Sequence, residues 1–422
     1  MMKVAIFGLG YVGFTAACCI SSEGHDVVGV DVSDAKNREV NDGVPPFEEP
    51  GLKELMQKGR SVGSLKATND TQTALREADL AIVCVGTPSG PDGAHDMRYI
   101  IEVSRQIAKA AADLNLEKLT VTYRSTMRPG TLRHLITPIF ESVLGADFSD
   151  KIELVYNPEF LREALAINDY FHPSKIVIGT IDGEPSDIMD KLHAGIEAPT
   201  FLTGFEEAEI TKFVDNSWHA VKVAFANEVG RVCQQMDISA TKVHEIFVSD
   251  TKLNISPYYT RPGGAFGGSC LPKDVRALQF IANDVGANLH LVDSLLRSNE
   301  AHKNHQFNYV MSELGEGKTV LMAGLAFKAD TDDLRESPNV DLARKLLSAG
   351  VELKIFDPAL DPAKLRGQNL GYAYANLPTI DQLLISKEVA EAGDWDLVVV
   401  NNATGKLLDL TAPKTVETGS IK

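Results

Sequence analysis

The sequence predicts an α/β protein in which two doubly wound, Rossmann-like domains are joined by a long central helix and a small helical domain. Three observations predict this fold. Short β-branched runs alternate with amphipathic stretches in the first half of the chain, which is typical of a parallel sheet covered by helices. Residues 206 to 236 contain no proline and repeat apolar residues at helical spacing. A second strand-and-helix pattern opens near Thr319 and closes near Leu410.

The first pattern predicts six strands, in KVAIFGLG, DVVGVD, LAIVCVGTP, LTVTYRST, IELVYNPEF and SKIVIGT. Several of these strands end in glycine or polar residues, and ligands of such sheets lie beyond the carboxyl ends of the strands. The second pattern predicts strands in TVLMAG, VELKIFDPAL and WDLVVVNNA, whereas the polar KTVETGSIK predicts a frayed terminus. We expect domain boundaries at 1–205, 206–303 and 304–422.

The amino-acid composition limits the kinds of partner and the cellular location that fit this chain. A chain of 422 residues is too long for one core, and its 44% hydrophobic and 23% charged residues fit a soluble globular protein. A formal charge of −17 argues against a nucleic-acid partner or a membrane surface. Five cysteines, two of them adjacent, do not resemble a disulfide framework and predict a reducing, cytoplasmic location. The apolar AIFGLGYVGFTAACCI is too short to span a membrane.

A dinucleotide-binding motif follows the first predicted strand. Gly8, Gly10 and Gly13 form GLGYVG, and Asp31 closes the second strand about 20 residues later, at the position that binds the adenosine ribose. Glycines at this spacing let a pyrophosphate approach the amino terminus of the next helix. Asp31 would repel a 2′-phosphate, so the motif favours NAD over NADP, although Lys36 lies nearby.

A candidate nucleophile stands in the glycine-rich segment RPGGAFGGSCLPKD. Cys270 is followed by Lys273 and Asp274, and a nearby cation favours the thiolate form of a cysteine. A single cysteine is more often an inert packed residue, as we expect of the other four, which lie in apolar runs. The loop composition favours the reactive alternative for Cys270.

The predicted long helix carries polar residues on one face. Lys212, Asn216 and His219 occur at i, i+4 and i+7, so their side chains project in one direction. Such a stripe is either a solvated surface or the wall of a site. The spacing alone does not decide between these alternatives.

Further polar residues follow predicted strands. Glu159 and Glu163 stand four residues apart in NPEFLREALA, where they could serve as base and substrate clamp or as a helix cap. Thr126, in RSTMRPGT, could orient a water molecule or cap the next helix. No group of residues has the spacing of a metal site.

Taken together, the motifs resemble the UDP-glucose/GDP-mannose dehydrogenase family. GLGYVG, CVGTP, RSTMRPGT, NPEFLREA, FGGSCLPKD and GLAFKADTDDLRESP occur in the family's order and cover nearly the whole chain. The resemblance implies oxidation of a nucleotide sugar from alcohol to acid by two NAD molecules in succession, with Cys270 forming a thiohemiacetal and then a thioester. The segments NSWHAVKVAFANEVG and NISPYYTRPGGAFGGSCLPKDVRAL are most similar to the members that oxidise GDP-mannose.

The resemblance also implies residue roles. Lys212 and Asn216 would stabilise oxyanions, Asp274 and Thr126 would position water, and Glu159 would act as general acid or base. Positions matching family contacts to NAD are Gly8, Gly10, Tyr11, Val12, Gly13, Asp31, Lys36, Thr87, Thr126, Lys273 and Arg335. Positions matching family contacts to the nucleotide sugar are Glu163, Lys212, Asn216, His219, Asn227, Tyr258, Tyr259, Arg261, Gly264 and Lys328.

The family precedent implies a homodimer, or a higher homo-oligomer, built on the long helix. The loop around Tyr259 and Arg261 would then reach the partner's site. The domains at 1–205, 206–303 and 304–422 would bind NAD, form the dimer and bind the nucleotide sugar, respectively.

Alternatives remain. UDP-glucose enzymes usually carry an arginine where this chain has Asn254 and Ile255, which favours mannose but leaves UDP-glucose and UDP-N-acetylhexosamine open. The last domain matches less closely beyond Ser337. A two-electron hydroxyacid dehydrogenase would share the first domain and the long helix but needs no nucleophilic cysteine. A non-catalytic NAD-binding regulator would have lost Cys270, Lys212 or Glu159.

Overall fold

The structure is a computed structural model that describes residues 1–47, 49–88, 95–162, 164–256, 263–268, 271–326, 328–329, 331–365, 367–410 and 414–418. Five predicted site residues lie outside these ranges: Glu163, Tyr258, Tyr259, Arg261 and Cys270. The chain divides into two compact units, residues 1–218 and 219–422. The division into three domains stays a prediction.

The first unit is built on an eight-stranded sheet with the order β3-β2-β1-β4-β5-β6-β7-β8. Its strands are β1 Lys3–Phe7, β2 Asp26–Val30, β3 Leu65–Thr68, β4 Leu80–Val83, β5 Leu119–Tyr123, β6 Ile152–Tyr156, β7 Ile176–Thr180 and β8 Thr200–Gly204. The six predicted strands are confirmed, and β3 and β8 are additional. Neighbouring strands are parallel except β6 and β7, which pair antiparallel through Tyr156 and Gly179. The predicted doubly wound sheet is confirmed, with this one antiparallel pair within it.

The described part of the connection between β6 and β7 contains one helix, α7, which spans Ala166–Phe171. The helices of this unit are α1 Tyr11–Ser22, α2 Asp34–Asp42, α3 Leu52–Ser61, α4 Thr71–Leu75, α5 Arg98–Asp113, α6 Thr137–Leu144, α7, and α8 Asp187–Leu192. A π-helical turn, Leu132–Ile136, precedes α6, and a 3-10 turn, Ala146–Asp150, follows it.

Two apolar cores lie in this unit. One contains Phe7, Tyr123, Phe140 and Tyr156, and the other contains Leu9, Phe14 and Leu52. All four residues of β4 are fully buried, as expected for a central strand of a parallel sheet that helices cover on both faces. The long helix α9 spans Phe205–Gln235, one residue from the predicted bounds at each end.

The second unit contains a four-stranded parallel sheet with the order β10-β9-β11-β12. The strands are β9 Thr319–Ala323, β10 Glu352–Phe356, β11 Leu397–Val400 and β12 Thr415–Glu417. The helices are α10 Ala240–Ser249, α11 Leu271–Val285, α12 His290–Leu314, α13 Pro338–Ser348, α14 Gly367–Asn376, α15 Ile380–Leu383 and α16 Lys387–Ala392. Two 3-10 turns, Pro362–Lys364 and Ala403–Leu407, complete the secondary structure of the described part.

Strand β12 corrects the prediction of a frayed terminus. Its residues pair in parallel with β11, and Val416 is buried in the core of the sheet. The strand contains a single apolar residue, Val416, which gives no strand signal, so tertiary pairing decides this segment. The predicted second α/β pattern is confirmed by β9, β10 and β11.

No described helix has both the length and the apolar character that a membrane span requires. Cys18, Cys19, Cys84 and Cys233 are free thiols. Burial raises the pKa of the Cys18 and Cys84 thiols to about 12, so both stay protonated at neutral pH. This agrees with the expectation that the cysteines in apolar runs are packed residues.

Candidate cofactor site and active site

The loop between β1 and α1 is shaped by its three glycines. Gly8 has φ +94° and donates its N–H to the carbonyl of Val30 at 2.8 Å. A Cβ on Gly13 would lie 1.9 Å from the carbonyl oxygen of Gly8, so the loop and the helix pack as only glycine permits. A Cβ on Gly10 would meet nothing within 4 Å. Open space therefore adjoins the amino terminus of α1.

The amino terminus of α1 fits a pyrophosphate. Gly10 is the N-cap and provides no side-chain hydrogen bond, so the first N–H groups of the helix have no side-chain cap. Backbone N–H groups and the helix dipole together favour an anion at this position. The chemistry of the donors and the space above Gly10 agree with a bound dinucleotide.

Asp31 is fixed at the end of β2, beside this loop. Its Oδ2 accepts the Leu9 N–H at 2.9 Å, its Oδ1 accepts the Ser33 N–H at 2.9 Å, and the Lys36 ammonium lies 3.4 Å from Oδ2. The side chain is only 9% exposed. The carboxylate is thus held where a ribose of the bound cofactor is expected, and its charge disfavours a 2′-phosphate.

The loops after β4 and β5 meet beside the sheet. The Thr87 hydroxyl donates to the carbonyl of Thr126 at 2.9 Å, and the Ser125 hydroxyl donates to the carbonyl of Val85 at 2.6 Å. Two predicted cofactor positions, Thr87 and Thr126, are therefore brought together. The Ser125 side chain has a local structural role.

Lys212 and Glu159 form a half-buried ion pair. The Lys212 ammonium donates to Glu159 Oε1 at 2.9 Å and to the Glu159 carbonyl at 2.6 Å, and it lies 5.6 Å from the centre of the Phe160 ring. The second oxygen of Glu159 accepts the Leu161 N–H at 2.7 Å. The two side chains are 14% and 13% exposed, so water screens their mutual attraction less than it would at the surface. Asn216, one turn further along α9, is exposed.

Glu209 is a buried carboxylate that sequence patterns did not reveal. It accepts the N–H groups of Gly130 and Leu132 at 2.5 and 2.8 Å, and so fixes the RSTMRPGT segment to α9 three residues before Lys212. Burial raises the pKa of Glu209 to about 7, against the lowering effect of the two backbone donors. In the sequence it resembles an ordinary acid of the first helical turns, because burial leaves no local signal.

In the second unit, Lys273 and Asp274 form an exposed ion pair at 2.6 Å at the start of α11. In the described part of the glycine-rich segment, residues 263–268, two residues make close contacts with other elements of this unit. The Phe266 backbone exchanges hydrogen bonds of 2.9 and 2.7 Å with the Asn299 side chain, and a Cβ on Gly267 would lie 2.3 Å from the Glu336 carbonyl oxygen. Predicted substrate positions His219, Asn227 and Gly264 are exposed.

The sheet of the second unit repeats the cofactor-loop geometry. Gly324 has φ +93° after β9, and Asp357 at the end of β10 accepts the N–H groups of Leu325 and Ala326 at 2.9 and 3.0 Å. Asp31 accepts the Leu9 N–H in the same way. This unit therefore carries a second dinucleotide-type loop, which fits the predicted nucleotide subsite.

Two predicted residues follow that loop. Lys328 is exposed, and Arg335 forms a 2.8 Å ion pair with Asp333. Val12 and Tyr11 lie in the first turn of α1.

Among the described residues, no group of three or more His, Cys, Asp or Glu side chains could hold a metal ion.

Comparison with known proteins identifies the family. Three models of the UDP-glucose/GDP-mannose dehydrogenase family match this chain: the NAD binding domain at residues 2–197, the central domain at 206–301 and the UDP binding domain at 321–415. The chain belongs to this family. It is 42% identical to a GDP-mannose 6-dehydrogenase of Pseudomonas syringae pv. tomato, over 99% of this chain and 94% of the relative. It is 32% identical to a UDP-glucose 6-dehydrogenase of Bacillus subtilis, over 95% and 86%.

A solved structure supports the same family assignment. The ternary complex of GDP-mannose dehydrogenase from Pseudomonas aeruginosa matches with a TM-score of 0.91 and 40% identity, over 99% of this chain and 96% of that one. The protein is accordingly an NAD-dependent dehydrogenase of the UDP-glucose/GDP-mannose dehydrogenase family. The loop at Gly8 to Gly13 and the carboxylate of Asp31 provide a site that fits this cofactor.

Substitution of Gly13 tests the cofactor site. Because overpacking costs about 1–3 kcal/mol, Gly13→Ala is expected to lower the melting temperature and to weaken NAD binding about ten-fold or more. Gly10→Ala, where a Cβ meets only open space, should weaken NAD binding while the melting temperature stays unchanged. Thermal melts and NAD titrations followed by calorimetry measure both effects. Unchanged NAD affinity in both variants would contradict the assignment of this loop.

Proposed function

We propose that this protein oxidises the C6 hydroxyl of GDP-mannose to a carboxylate, giving GDP-mannuronate, with two NAD molecules in succession. The observation that carries the proposal is the 42% identity to a GDP-mannose 6-dehydrogenase over nearly the whole chain, against 32% to a UDP-glucose enzyme. Asn254 and Ile255, where UDP-glucose enzymes usually carry an arginine, point in the same direction.

The first oxidation removes a hydride from C6 and the proton of the hydroxyl group. Bound NAD would supply the hydride acceptor. The ammonium of Lys212 favours the alkoxide by its charge, and Glu159, hydrogen-bonded to it at 2.9 Å, takes up or relays the proton. The product of this step is an aldehyde that stays bound. Asn216, on the same face of α9, would add a hydrogen bond to the oxygen.

The second oxidation needs a covalent adduct. The Cys270 thiolate adds to the aldehyde carbon, and the oxygen takes up a proton, which gives a thiohemiacetal. Loss of a second hydride and of the hydroxyl proton gives a thioester. Water positioned by Asp274 and Thr126 then attacks the carbonyl carbon, the C–S bond breaks, and the thiol is regenerated as the carboxylate forms. Cys270 lies outside the described residues, and its role is part of the proposal.

The same proposal assigns recognition of the nucleotide sugar to the residues that match family positions. Lys328 and the loop at Gly324 would hold the nucleotide, and Arg335 and Lys273 would contact NAD. Glu163, His219, Asn227, Tyr258, Tyr259, Arg261 and Gly264 would surround the sugar and its diphosphate. The repeat of the Asp31 hydrogen-bond pattern at Asp357 supports a nucleotide subsite in the second unit.

The proposal includes a homodimer built on α9. Apolar side chains at Ile210, Val214, Trp218 and Val221 are 37–57% exposed and recur at three- or four-residue spacing. An apolar stripe of this kind favours packing against a second helix. The proposal also places the enzyme in the cytoplasm, because its cysteines have the character of reduced residues. There it would supply a sugar acid for polysaccharide synthesis.

A substrate panel tests the proposal. Purified protein is incubated with NAD and GDP-mannose, UDP-glucose or a UDP-N-acetylhexosamine, and NADH is counted per sugar consumed. We expect two NADH per GDP-mannose, with kcat/KM at least about 100-fold above that for UDP-glucose, since a site built around one base and sugar leaves polar groups unpaired with another. A preference for UDP-glucose would overturn the substrate assignment. One NADH per sugar would favour the two-electron alternative.

A further inference from the structure

Glu49 is a buried carboxylate that belongs to none of the roles assigned above. It is 8% exposed and stands in the segment PFEEPGL, directly before α3. Its Oε2 accepts the Tyr11 hydroxyl at 2.6 Å and the Ala164 N–H at 2.9 Å, and its Oε1 accepts the Ala166 N–H at 2.9 Å. One side chain thus contacts two distant segments of the first unit.

The first of these segments is the cofactor loop. Tyr11 is the first residue of α1 and follows Gly10, beside the open space at the helix amino terminus. Its ring packs against Phe47, with centroids 5.0 Å apart, so the hydroxyl is held toward Glu49. A ligand that binds the N–H groups of this helical turn therefore restrains Tyr11 directly.

The second segment is the loop between β6 and α7, which carries Glu159. Ala164 has φ +66°, a left-handed conformation that has an energetic cost for a residue with a side chain. The hydrogen bond to Glu49 compensates for this cost. At the same loop, Arg162 forms a bidentate pair with Asp169 at 2.9 and 2.7 Å. The loop is therefore fixed at its second half by Glu49 and by this ion pair.

We propose that Glu49 is a positioning residue through which NAD bound at the start of α1 orders the loop that carries Glu159. The inference rests on the proposed function for its consequence in catalysis, but its structural part does not depend on the sugar. Restraint of Tyr11 holds the Glu49 carboxylate, and the carboxylate holds the N–H groups of Ala164 and Ala166. Cofactor binding then prepares the loop for the nucleotide sugar.

Hydrogen exchange tests the structural part without any sugar present. In the native protein, saturating NADH should slow exchange of the Ala164 and Ala166 amides about ten-fold, the effect of stabilising a hydrogen bond to a charged group. In Tyr11→Phe, which keeps the ring and removes the hydroxyl, this slowing should fall to about two-fold or less. The NADH concentration is set by titration so that the variant is saturated as fully as the native protein. Slowing equal to that in the native protein would overturn the proposal.

A matched control is available in the same unit. Tyr170, on α7, donates its hydroxyl to Glu23 at 3.0 Å, beyond the carboxyl end of α1. Tyr170→Phe removes a second tyrosine–glutamate hydrogen bond but leaves Glu49 in place. NADH should protect the two amides in this variant as in the native protein. Loss of protection in both variants would mean that the loop is merely sensitive to packing, and would refute a specific role for Glu49.

Kinetic measurements distinguish failure of this inference from failure of the proposed function. Tyr11→Phe should raise the KM for GDP-mannose about ten-fold, although Tyr11 belongs to the cofactor side of the site. Glu49→Gln should raise this KM further, because the glutamine NH2 group would face a backbone N–H donor and could not accept its hydrogen bond. An increase only in the KM for NAD would refute the inference while leaving the proposed function intact. Absence of activity in the native protein would refute the proposed function, and the exchange result would still stand on its own.

Discussion

Cys270→Ser is expected to stop acid formation, with the rate of carboxylate release falling by at least about a thousand-fold. A serine hydroxyl has a far higher pKa than a thiol and adds too slowly to the aldehyde for the second hydride transfer to proceed. In the proposed scheme, the first oxidation uses Lys212 and Glu159 and does not need the sulfur atom. The variant should therefore produce at most one NADH per GDP-mannose, and mass spectrometry should detect the aldehyde or its hydrate but no carboxylate.

The chain offers a control for this result. Cys233 is a buried free thiol on α9 with no role in the proposed chemistry, so Cys233→Ser should keep two NADH per sugar. Normal acid release by Cys270→Ser would exclude the covalent scheme. In that case the aldehyde would be hydrated and the hydrate would be oxidised directly, without a bond to Cys270.

The strands that sequence predicts best are those whose signal is local. Strand β4 is apolar at every position and fully buried. The turn at GLGYVG depends on its own glycines, because Gly8 has a positive φ and Gly13 admits no side chain. The pairing of Asp31 with this loop could also be anticipated, since the spacing along the chain fixes it. These features depend on residues that are close in sequence.

The features that sequence missed depend on distant partners. Glu49 binds the backbone of Ala164, 115 residues away, and Glu209 binds that of Gly130, 79 residues away. Each resembles a solvated acid until the fold buries it. Strand β12 is similar, because its pairing with β11 decides its conformation more than its composition does. The spacing of Lys212 and Asn216 is compatible with either a solvated face or the wall of a site, and the contact with Glu159 shows that Lys212 is not simply solvated.

Lys212→Met is expected to lower kcat for GDP-mannose oxidation about 100- to 1,000-fold, the cost of removing one electrostatic contact to a developing oxyanion. Methionine keeps much of the side-chain volume but removes the cation beside Glu159. Stopped-flow measurement of the first hydride transfer provides the rate. Lys175→Met is a matched control, because Lys175 also lies over the Phe160 ring, at 4.6 Å, and pairs with Asp215 at 2.6 Å. If both variants lost activity equally, packing around Phe160 and not the charge at Lys212 would be responsible.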